Sequence, residues 1–117
     1  MKAKLIWYPK CSTCQKAKKW LEANNIEIEF VNLKETPPTH IELADYYKRS
    51  GLPLKKLFNT SGHIYKELNL KDKIPEMSEE EQLHLLSTDG MLVKRPILLM
   101  NDVVFFGFNE KEWSKIE

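Results

Sequence analysis

Apolar and polar residues alternate in two different rhythms over the first part of the chain. "KLIWY" (4–8) is an aromatic and β-branched run closed by a proline, which predicts a strand. Over residues 12–24, apolar residues recur at helical spacing and lysines take the opposite face, which predicts a helix. "EIEFVNL" (27–33) sets Ile28 and Phe30 against charged neighbours and predicts a second strand. Together these elements predict a βαβ unit with a parallel strand pair.

The middle of the chain has helical signals. Two capping-box patterns, in which Glu follows a hydroxyl residue by three positions, predict helix starts at Thr39 and Ser78. We expect these helices to end at Gly51 and Gly90, because glycine is favoured just past a helix C-terminus. "PLKKLFNTSG" (53–62) lies between them and predicts a shorter helix.

The last part of the chain returns to strand patterns. "PILLM" (96–100) and "VVFFGF" (103–108) flank the dipeptide Asn101-Asp102, which predicts a β-hairpin with a tight two-residue turn. "NEKEWSKIE" then predicts a short amphipathic helix capped by Asn109.

The element order is therefore β-α-β, several helices, then β-β-α. This order predicts an α/β protein of the thioredoxin/glutaredoxin type, in which the βαβ and ββα halves form one four-stranded mixed sheet. We expect a single thioredoxin-like domain over residues 1–117, with an all-helical insertion at about 38–90 between its two halves.

Composition and charge bear on the classes of partner and on the cellular location that we expect. The 18 basic and 17 acidic residues give a formal net charge of +1, so we expect no direct nucleic-acid or membrane partner. The apolar run before Pro9 is too short for a signal peptide, and no run approaches the roughly 20 residues that span a bilayer. We therefore expect a cytoplasmic protein, and we expect it to be a monomer.

The two cysteines of the chain, Cys11 and Cys14, stand three residues apart at the start of the first predicted helix. Where thiols are kept reduced, such a pair is more often catalytic, sensing or metal-binding than a structural disulfide. The alternatives are half of a zinc site and two buried thiols without chemistry. Zinc would need further ligands from the histidines, which are spread along the chain without the spacing of structural sites: His40, His63 and His84. We favour a redox dithiol and expect no metal.

The helix start assigns different roles to the two thiols. Cys11 lies where free N–H groups and the helix dipole favour an anion, so we expect it to be the nucleophile. Cys14 is one turn further on, on the same face, and we expect it to be more buried and to act as the resolving thiol. Lys10 adds a positive charge beside Cys11, and the small Ser12 and Thr13 leave room for a disulfide. We assign substrate binding to these three flanking residues.

"KRPILL" (94–99) is the second informative stretch. In thioredoxin-like folds the residue that opens the third strand is a cis proline facing the active-site cysteine, and Pro96 occupies that place. We therefore expect a cis Arg95–Pro96 bond, which would carry Arg95 to Cys11. A guanidinium can stabilise a thiolate or hold an oxyanion with two hydrogen bonds. The alternative is a solvated surface arginine.

Several of these segments resemble one family when taken together and in order. The segments are "YPKCSTCQKAKKWL", "KETPP", "YYKRSGLPLKKLFNTSG", "YKELNLKDK", "DGMLVKRPIL" and "GFNEKEW". The chain resembles the arsenate reductase-related family (ArsC/Spx/MgsR-like) over essentially its whole length, and most of all its uncharacterised arsenate reductase-like members. The resemblance implies a glutaredoxin-like fold with a helical insertion and a nucleophilic Cys11.

The resemblance also separates two functions. The glutathione- or glutaredoxin-linked arsenate reductases match at Cys11 and Arg95, but their two further oxyanion arginines fall here at Asn59 and near Phe108. Those enzymes also typically lack a second cysteine, whereas this chain has Cys14. The resemblance therefore favours a thiol–disulfide oxidoreductase over an arsenate reductase. It implies no bound cofactor, but an external reductant such as glutathione, another small thiol, thioredoxin or glutaredoxin.

The alternative is a redox-sensing transcriptional regulator. The Spx-type regulators resemble the chain at the cysteine pair, at the Arg-Pro step and at the turn formed by Gly107 to Asn109. They bind the C-terminal domain of the RNA polymerase α subunit and use the cysteine pair as a switch. Gly51 falls near the glycine of their polymerase-binding surface, so it is the candidate partner-binding residue in this alternative.

Overall fold

The computed structural model of the chain describes residues 2–115. Within this range, none of the helices combines the length and the apolar character needed to cross a membrane. The chain separates into two compact units, of which one comprises the described residues within Met1–Asn32 and Arg95–Glu117 and the other comprises Leu33–Lys94. The single domain expected over residues 1–117 stays a prediction.

The first unit contains a four-stranded mixed sheet with the order β2-β1-β3-β4. Its strands are β1 (Lys2–Trp7), β2 (Glu27–Asn32), β3 (Ile97–Met100) and β4 (Val103–Phe106). β1 runs parallel to β2 and antiparallel to β3, and β3 runs antiparallel to β4. The mixed sheet predicted from the βαβ and ββα patterns is confirmed.

Two helices, α1 (Ser12–Ala23) and α6 (Glu110–Trp113), complete this unit. α1 buries the face predicted from its apolar spacing, and Ala17 and Leu21 join the core beneath it. Trp113 of α6 is fully buried in the same core, where removing so large an apolar surface from water contributes about 2–3 kcal/mol. The core thus fixes both helices against the sheet.

The predicted hairpin is confirmed. Met100 pairs with Val103, and Asn101 adopts a left-handed conformation with φ 56° in the turn between them. Asparagine tolerates this conformation better than most residues, which is why the turn forms without glycine. Asn109 caps α6 as predicted, because its side chain accepts a hydrogen bond of 3.1 Å from the Glu112 N–H.

β2 lies at one edge of the sheet, and this position reduces how far its alternating apolar side chains are covered. Ile28 is half-buried, but Phe30 keeps 43% of its surface exposed. The Phe30 ring packs on Trp7 with the ring centroids 4.7 Å apart. An edge strand has fewer neighbours to cover its side chains, so the alternation predicted the strand but overstated how far its apolar face is covered.

The second unit consists of helices joined by short turns. Its α-helices are α2 (His40–Ser50), α3 (His63–Glu67), α4 (Leu70–Lys73) and α5 (Glu79–Thr88). Both predicted capping boxes are present, at Thr39 before α2 and at Ser78 before α5. Gly51 ends α2 in a left-handed conformation with φ 69°, as predicted.

Two predictions for the second unit are wrong in detail. Within residues 53–62, where a short helix is predicted, the structure has only the 3₁₀ turn Leu54–Leu57. α5 ends at Thr88, and Gly90 begins a further 3₁₀ turn instead of ending the helix. Gly90 is needed for space, because a Cβ there would collide with the Leu33 carbonyl group.

This close approach gives the first prediction. Gly90→Ala should lower the free energy of unfolding by about 2–3 kcal/mol, since the backbone at Leu33 must move to admit the methyl group. Gly51→Ala is the matched control, because a Cβ at Gly51 has nothing within 4 Å and only the left-handed conformation is penalised, by about 1 kcal/mol. Urea unfolding followed by circular dichroism measures both values. A Gly90 variant no less stable than the Gly51 variant would contradict the close packing.

Candidate functional site

The candidate site begins at the junction between β1 and α1. Cys11 is the N-cap residue of α1, with extended backbone angles of φ −92° and ψ 122°. Its N–H donates a hydrogen bond of 3.0 Å to the Tyr8 carbonyl, and its own carbonyl accepts one of 3.1 Å from the Gln15 N–H. The Gln15 side chain also donates to the Pro9 carbonyl at 2.8 Å, which ties the loop to the helix. The Cys11 thiol is therefore held where the first N–H groups of α1 have no partner within the helix.

The two cysteines are both free thiols and differ in exposure. Cys11 is half-buried, and Cys14 in the first turn of α1 is fully buried. The relative burial predicted from the helix start is confirmed.

Burial and polar contacts have opposite effects on the pKa of Cys11: burial raises it, and hydrogen bonds and charge lower it. Burial has the largest single effect and opposes ionisation. The Cys14 N–H, the Cys14 thiol and the Arg95 guanidinium hydrogen-bond to the Cys11 sulfur, and the Arg95 charge adds to them. Together these contacts hold the pKa of Cys11 below its ordinary value, so the thiolate is favoured at this position.

Cys14 has the opposite environment. Burial, the largest effect, together with the hydrogen bond and charge of Cys11 raises the pKa of Cys14 to about 12. The Tyr8 N–H and the Arg95 charge act in the other direction but do not outweigh them. The pair therefore contains one activated thiol and one thiol that stays protonated near neutral pH.

Arg95 reaches this pair from the start of β3. The Arg95–Pro96 peptide bond is cis, as predicted. The Pro96 carbonyl accepts a hydrogen bond of 2.7 Å from the Gly107 N–H, which ties this step to the end of the hairpin. The structure thus brings Arg95 to Cys11 by a contact that the sequence analysis expected, and Arg95 is not a solvated surface arginine.

The other predicted site residues are placed as follows. Lys10 precedes Cys11, and Ser12 and Thr13 lie between the two cysteines. All three residues are exposed to solvent. Gly51 belongs to the second unit, where it is exposed at the end of α2. The substrate-binding role of the first three and the partner-binding role of Gly51 stay predictions.

Tyr8 is a residue of the site that the sequence did not indicate. The Arg95 guanidinium carbon lies 5.6 Å from the centroid of the Tyr8 ring, within the range of a cation–π contact. Tyr8 and Arg95 lie in different parts of the sequence, and only the pairing of β1 with β3 brings them together. No local pattern around Tyr8 could have indicated this contact.

Asn59 and Phe108, the positions to which the resemblance assigns the further oxyanion arginines, carry no positive charge. Phe108 is half-buried and packs edge-on against Trp113, with the ring centroids 4.8 Å apart. Asn59 belongs to the second unit, where its N–H donates a hydrogen bond of 2.7 Å to the Leu92 carbonyl. Phe108 therefore serves packing in its own unit, and Asn59 is held within the helical one.

A zinc site was the alternative use of the cysteines. Among residues 2–115, no three or more side chains of the types His, Cys, Asp and Glu are grouped so that they could hold a metal ion. Two of the histidines, His40 and His84, instead stack on each other within the second unit, with the ring centroids 3.9 Å apart.

Comparison with known proteins gives concordant matches. The model of the ArsC family matches residues 6–116. The chain is 52% identical over 115 residues to the uncharacterized protein YusI of Bacillus subtilis, with 98% of each chain covered. It is 35% identical over 109 residues to the regulatory protein MgsR of Bacillus subtilis, with 93% of this chain and 85% of MgsR covered.

A solved structure agrees with these matches. A crystal structure from Bacteroides fragilis, described as that of an ArsC family related protein, is 53% identical to the chain and superposes with a TM-score of 0.94. The superposition covers 98% of this chain and 97% of that one. The likeness therefore extends over nearly the whole sequence.

The contact between Arg95 and Cys11 gives the second prediction. In a Cys14→Ser background, Arg95→Ala should raise the pKa of Cys11, because a hydrogen bond and a positive charge that favour the thiolate are lost. Alkylation of Cys11 by iodoacetamide near pH 7 should slow by about tenfold, and its pH midpoint should move upward. Arg95→Lys should restore only part of the rate, because a point charge does not reproduce the guanidinium fork.

The other arginine of the chain supplies the control. Arg49 pairs with Asp45 on α2 at 3.2 Å, so Arg49→Ala removes the same side chain from the second unit. Its alkylation curve should overlay that of the parent. If the Arg95→Ala curve also overlays the parent, Arg95 does not stabilise the Cys11 thiolate.

Proposed function

Because the chain belongs to the ArsC family, we propose that it is a thiol–disulfide oxidoreductase that uses Cys11 as the nucleophile and Cys14 as the resolving thiol. The observation that carries this proposal is the opposite shift of the pKa values of the two thiols. The pKa of Cys11 is lowered beside Arg95, while burial first and the neighbouring Cys11 second raise the pKa of Cys14 to about 12. One accessible thiolate and one buried protonated thiol are what an ordered two-step exchange needs.

In the first step, the Cys11 thiolate attacks one sulfur of a substrate disulfide. A bond forms between the Cys11 sulfur and that substrate sulfur, and the substrate S–S bond breaks. The second substrate sulfur leaves as a thiolate and takes a proton from water. Cys11 is then held in a mixed disulfide.

In the second step, the Cys14 thiol loses its proton to water and attacks the Cys11 sulfur. This step becomes easier once the first has occurred, because the hydrogen bond and charge of Cys11 that raise the pKa of Cys14 are gone in the mixed disulfide. The Arg95 charge, which lowers the pKa of Cys14, remains. A Cys11–Cys14 disulfide forms and the bound substrate sulfur leaves, so the substrate gains two electrons and the protein dithiol loses them.

The cycle closes with an external thiol reductant, such as glutathione, another small thiol, thioredoxin or glutaredoxin. Two thiols of the reductant reduce the Cys11–Cys14 disulfide and become oxidised themselves. Such a cycle suits the cytoplasm, where thiols are kept reduced. A disulfide substrate is favoured over arsenate, because Asn59 and Phe108 stand where the arsenate reductases have two further cations for a dianion.

The third prediction tests the mixed disulfide. Cys14→Ser removes the resolving thiol, so it should accumulate one adduct per chain with oxidised glutathione or oxidised thioredoxin, detected as a mass increase that dithiothreitol reverses. Cys11→Ser is the matched control and should form none, because the Cys14 thiol is fully buried. If Cys14→Ser forms no adduct at Cys11 with either oxidant, the oxidoreductase proposal is wrong.

A second candidate function is a redox-sensing regulator of the Spx type. It is supported by the similarity to MgsR, which is named a regulatory protein, and by the exposure of Gly51. In this case the partner would be the C-terminal domain of the RNA polymerase α subunit, and oxidation of the cysteine pair would change binding.

The fourth prediction separates the two functions. If the chain is a regulator, immobilised polymerase α C-terminal domain should retain it in a redox-dependent manner, and Gly51→Asn should weaken the retention. Asparagine tolerates the left-handed conformation of Gly51 and adds a side chain where the structure has open space. Absence of retention under both reducing and oxidising conditions favours the enzyme.

A further inference from the structure

We propose that Tyr8 is the positioning residue of the site and that its ring holds the Arg95 guanidinium at the Cys11 sulfur. This inference rests on the proposed function, since it explains how the nucleophile of that function stays activated. The Tyr8 ring contacts the Arg95 guanidinium. It acts on Cys11 through Arg95.

Three contacts make Tyr8 the common neighbour of the site. Its carbonyl accepts a hydrogen bond of 3.0 Å from the Cys11 N–H, and its N–H acts to lower the pKa of Cys14 against the larger effect of burial. Its ring lies against Arg95, with the guanidinium carbon 5.6 Å from the ring centroid. The hydrogen bond from the Cys11 N–H ties the Tyr8 backbone to the residue that carries the nucleophile, and the ring contact ties Tyr8 to Arg95.

The sheet register explains why the ring meets the arginine. Ile6 near the end of β1 pairs with Ile97 at the start of antiparallel β3. The residues after Ile6 and those before Ile97 therefore leave the sheet at the same end, which places Tyr8 beside Arg95. This pairing is part of the core of the first unit and does not depend on a substrate.

Arg95 needs such a support because its side chain is long. An unrestrained arginine side chain loses rotamer entropy on being fixed, and its charged end can turn toward water. The planar guanidinium is weakly hydrated and stacks readily on aromatic faces. The half-buried Tyr8 ring restricts the guanidinium to one side and leaves its N–H groups available to the Cys11 sulfur.

The fifth prediction isolates the ring from the backbone of Tyr8. In the Cys14→Ser background, Tyr8→Leu keeps both backbone contacts and removes the aromatic face, so the pKa of Cys11 should rise. Alkylation by iodoacetamide near pH 7 should slow by about threefold, while the rate at high pH, where every Cys11 is ionised, should not fall. Tyr8→Phe should restore the parent pH profile, because the ring and not the hydroxyl group makes the contact.

Two further variants separate positioning from a general structural effect. Trp7→Leu is the matched control: it removes the neighbouring aromatic ring, which packs on Phe30, and it should leave the pH midpoint of Cys11 unchanged. In an Arg95→Ala background, Tyr8→Leu should slow alkylation no further, because Tyr8 acts only through Arg95. Melting temperatures of all variants show whether a change in rate accompanies a loss of stability.

The outcomes distinguish this inference from the proposed function. If the parent has a lowered Cys11 pKa and forms the mixed disulfide, but Tyr8→Leu has the parent pH midpoint, Tyr8 is not a positioning residue and the oxidoreductase stands. A Tyr8→Leu effect that persists without Arg95, or that Phe does not restore, also overturns the inference. If the parent forms no mixed disulfide while the Tyr8 and Arg95 effects remain coupled, the proposed function fails and the positioning role stands.

Discussion

The site depends on a balance at one sulfur atom. Burial of Cys11 opposes its ionisation more than any single contact favours it. Together, the Cys14 N–H, the Cys14 thiol and Arg95 outweigh that penalty and lower the pKa of Cys11. The first two contacts come from the local geometry of a helix start, and the third comes from a distant strand. Both the helix start and the strand that follows Arg95 therefore contribute to the activation of Cys11.

The sheet supplies this assembly. β1 lies inside it, between β2 and β3, and its Leu5 is fully buried between Phe30 of one neighbour and Leu98 of the other. A one-residue slip in the pairing of β1 with β3 would turn the buried side chains of β3 to the opposite face. The same slip would move Arg95 away from the end of β1. The core packing that stabilises this unit is thus also what places the cation at the thiol.

The membership in the ArsC family agrees with the resemblance found from the sequence, and it is compatible with either an enzyme or a regulator. Both proposed functions would use the same chemical asymmetry between Cys11 and Cys14. They differ in what the oxidised pair does next, which is turnover in one case and a changed partner surface in the other. Both would depend on the chemistry of the cysteine pair, and only the second would use Gly51, as a partner-binding residue.

The sequence by itself determined the features that depend on neighbouring residues. The capping boxes at Thr39 and Ser78, the helix start at Cys11 and the turn at Asn101 are set within a few residues, and all form as predicted. The order of strands and helices, combined with the place of Pro96, was enough to predict the mixed sheet and the contact of Arg95 with Cys11.

Only the tertiary structure decided the features that arise between segments far apart in the chain. Gly90 lies in a sequence pattern typical of a helix end. The space for a side chain at this position is instead taken by the Leu33 backbone, which no local signal encodes. The exposure of Phe30 follows from the place of β2 at the sheet edge, and the contact of Tyr8 with Arg95 follows from the pairing of β1 with β3. Local patterns report hydrogen bonds and spacing along the chain, whereas shared space and the position of a charge depend on which segments pack together.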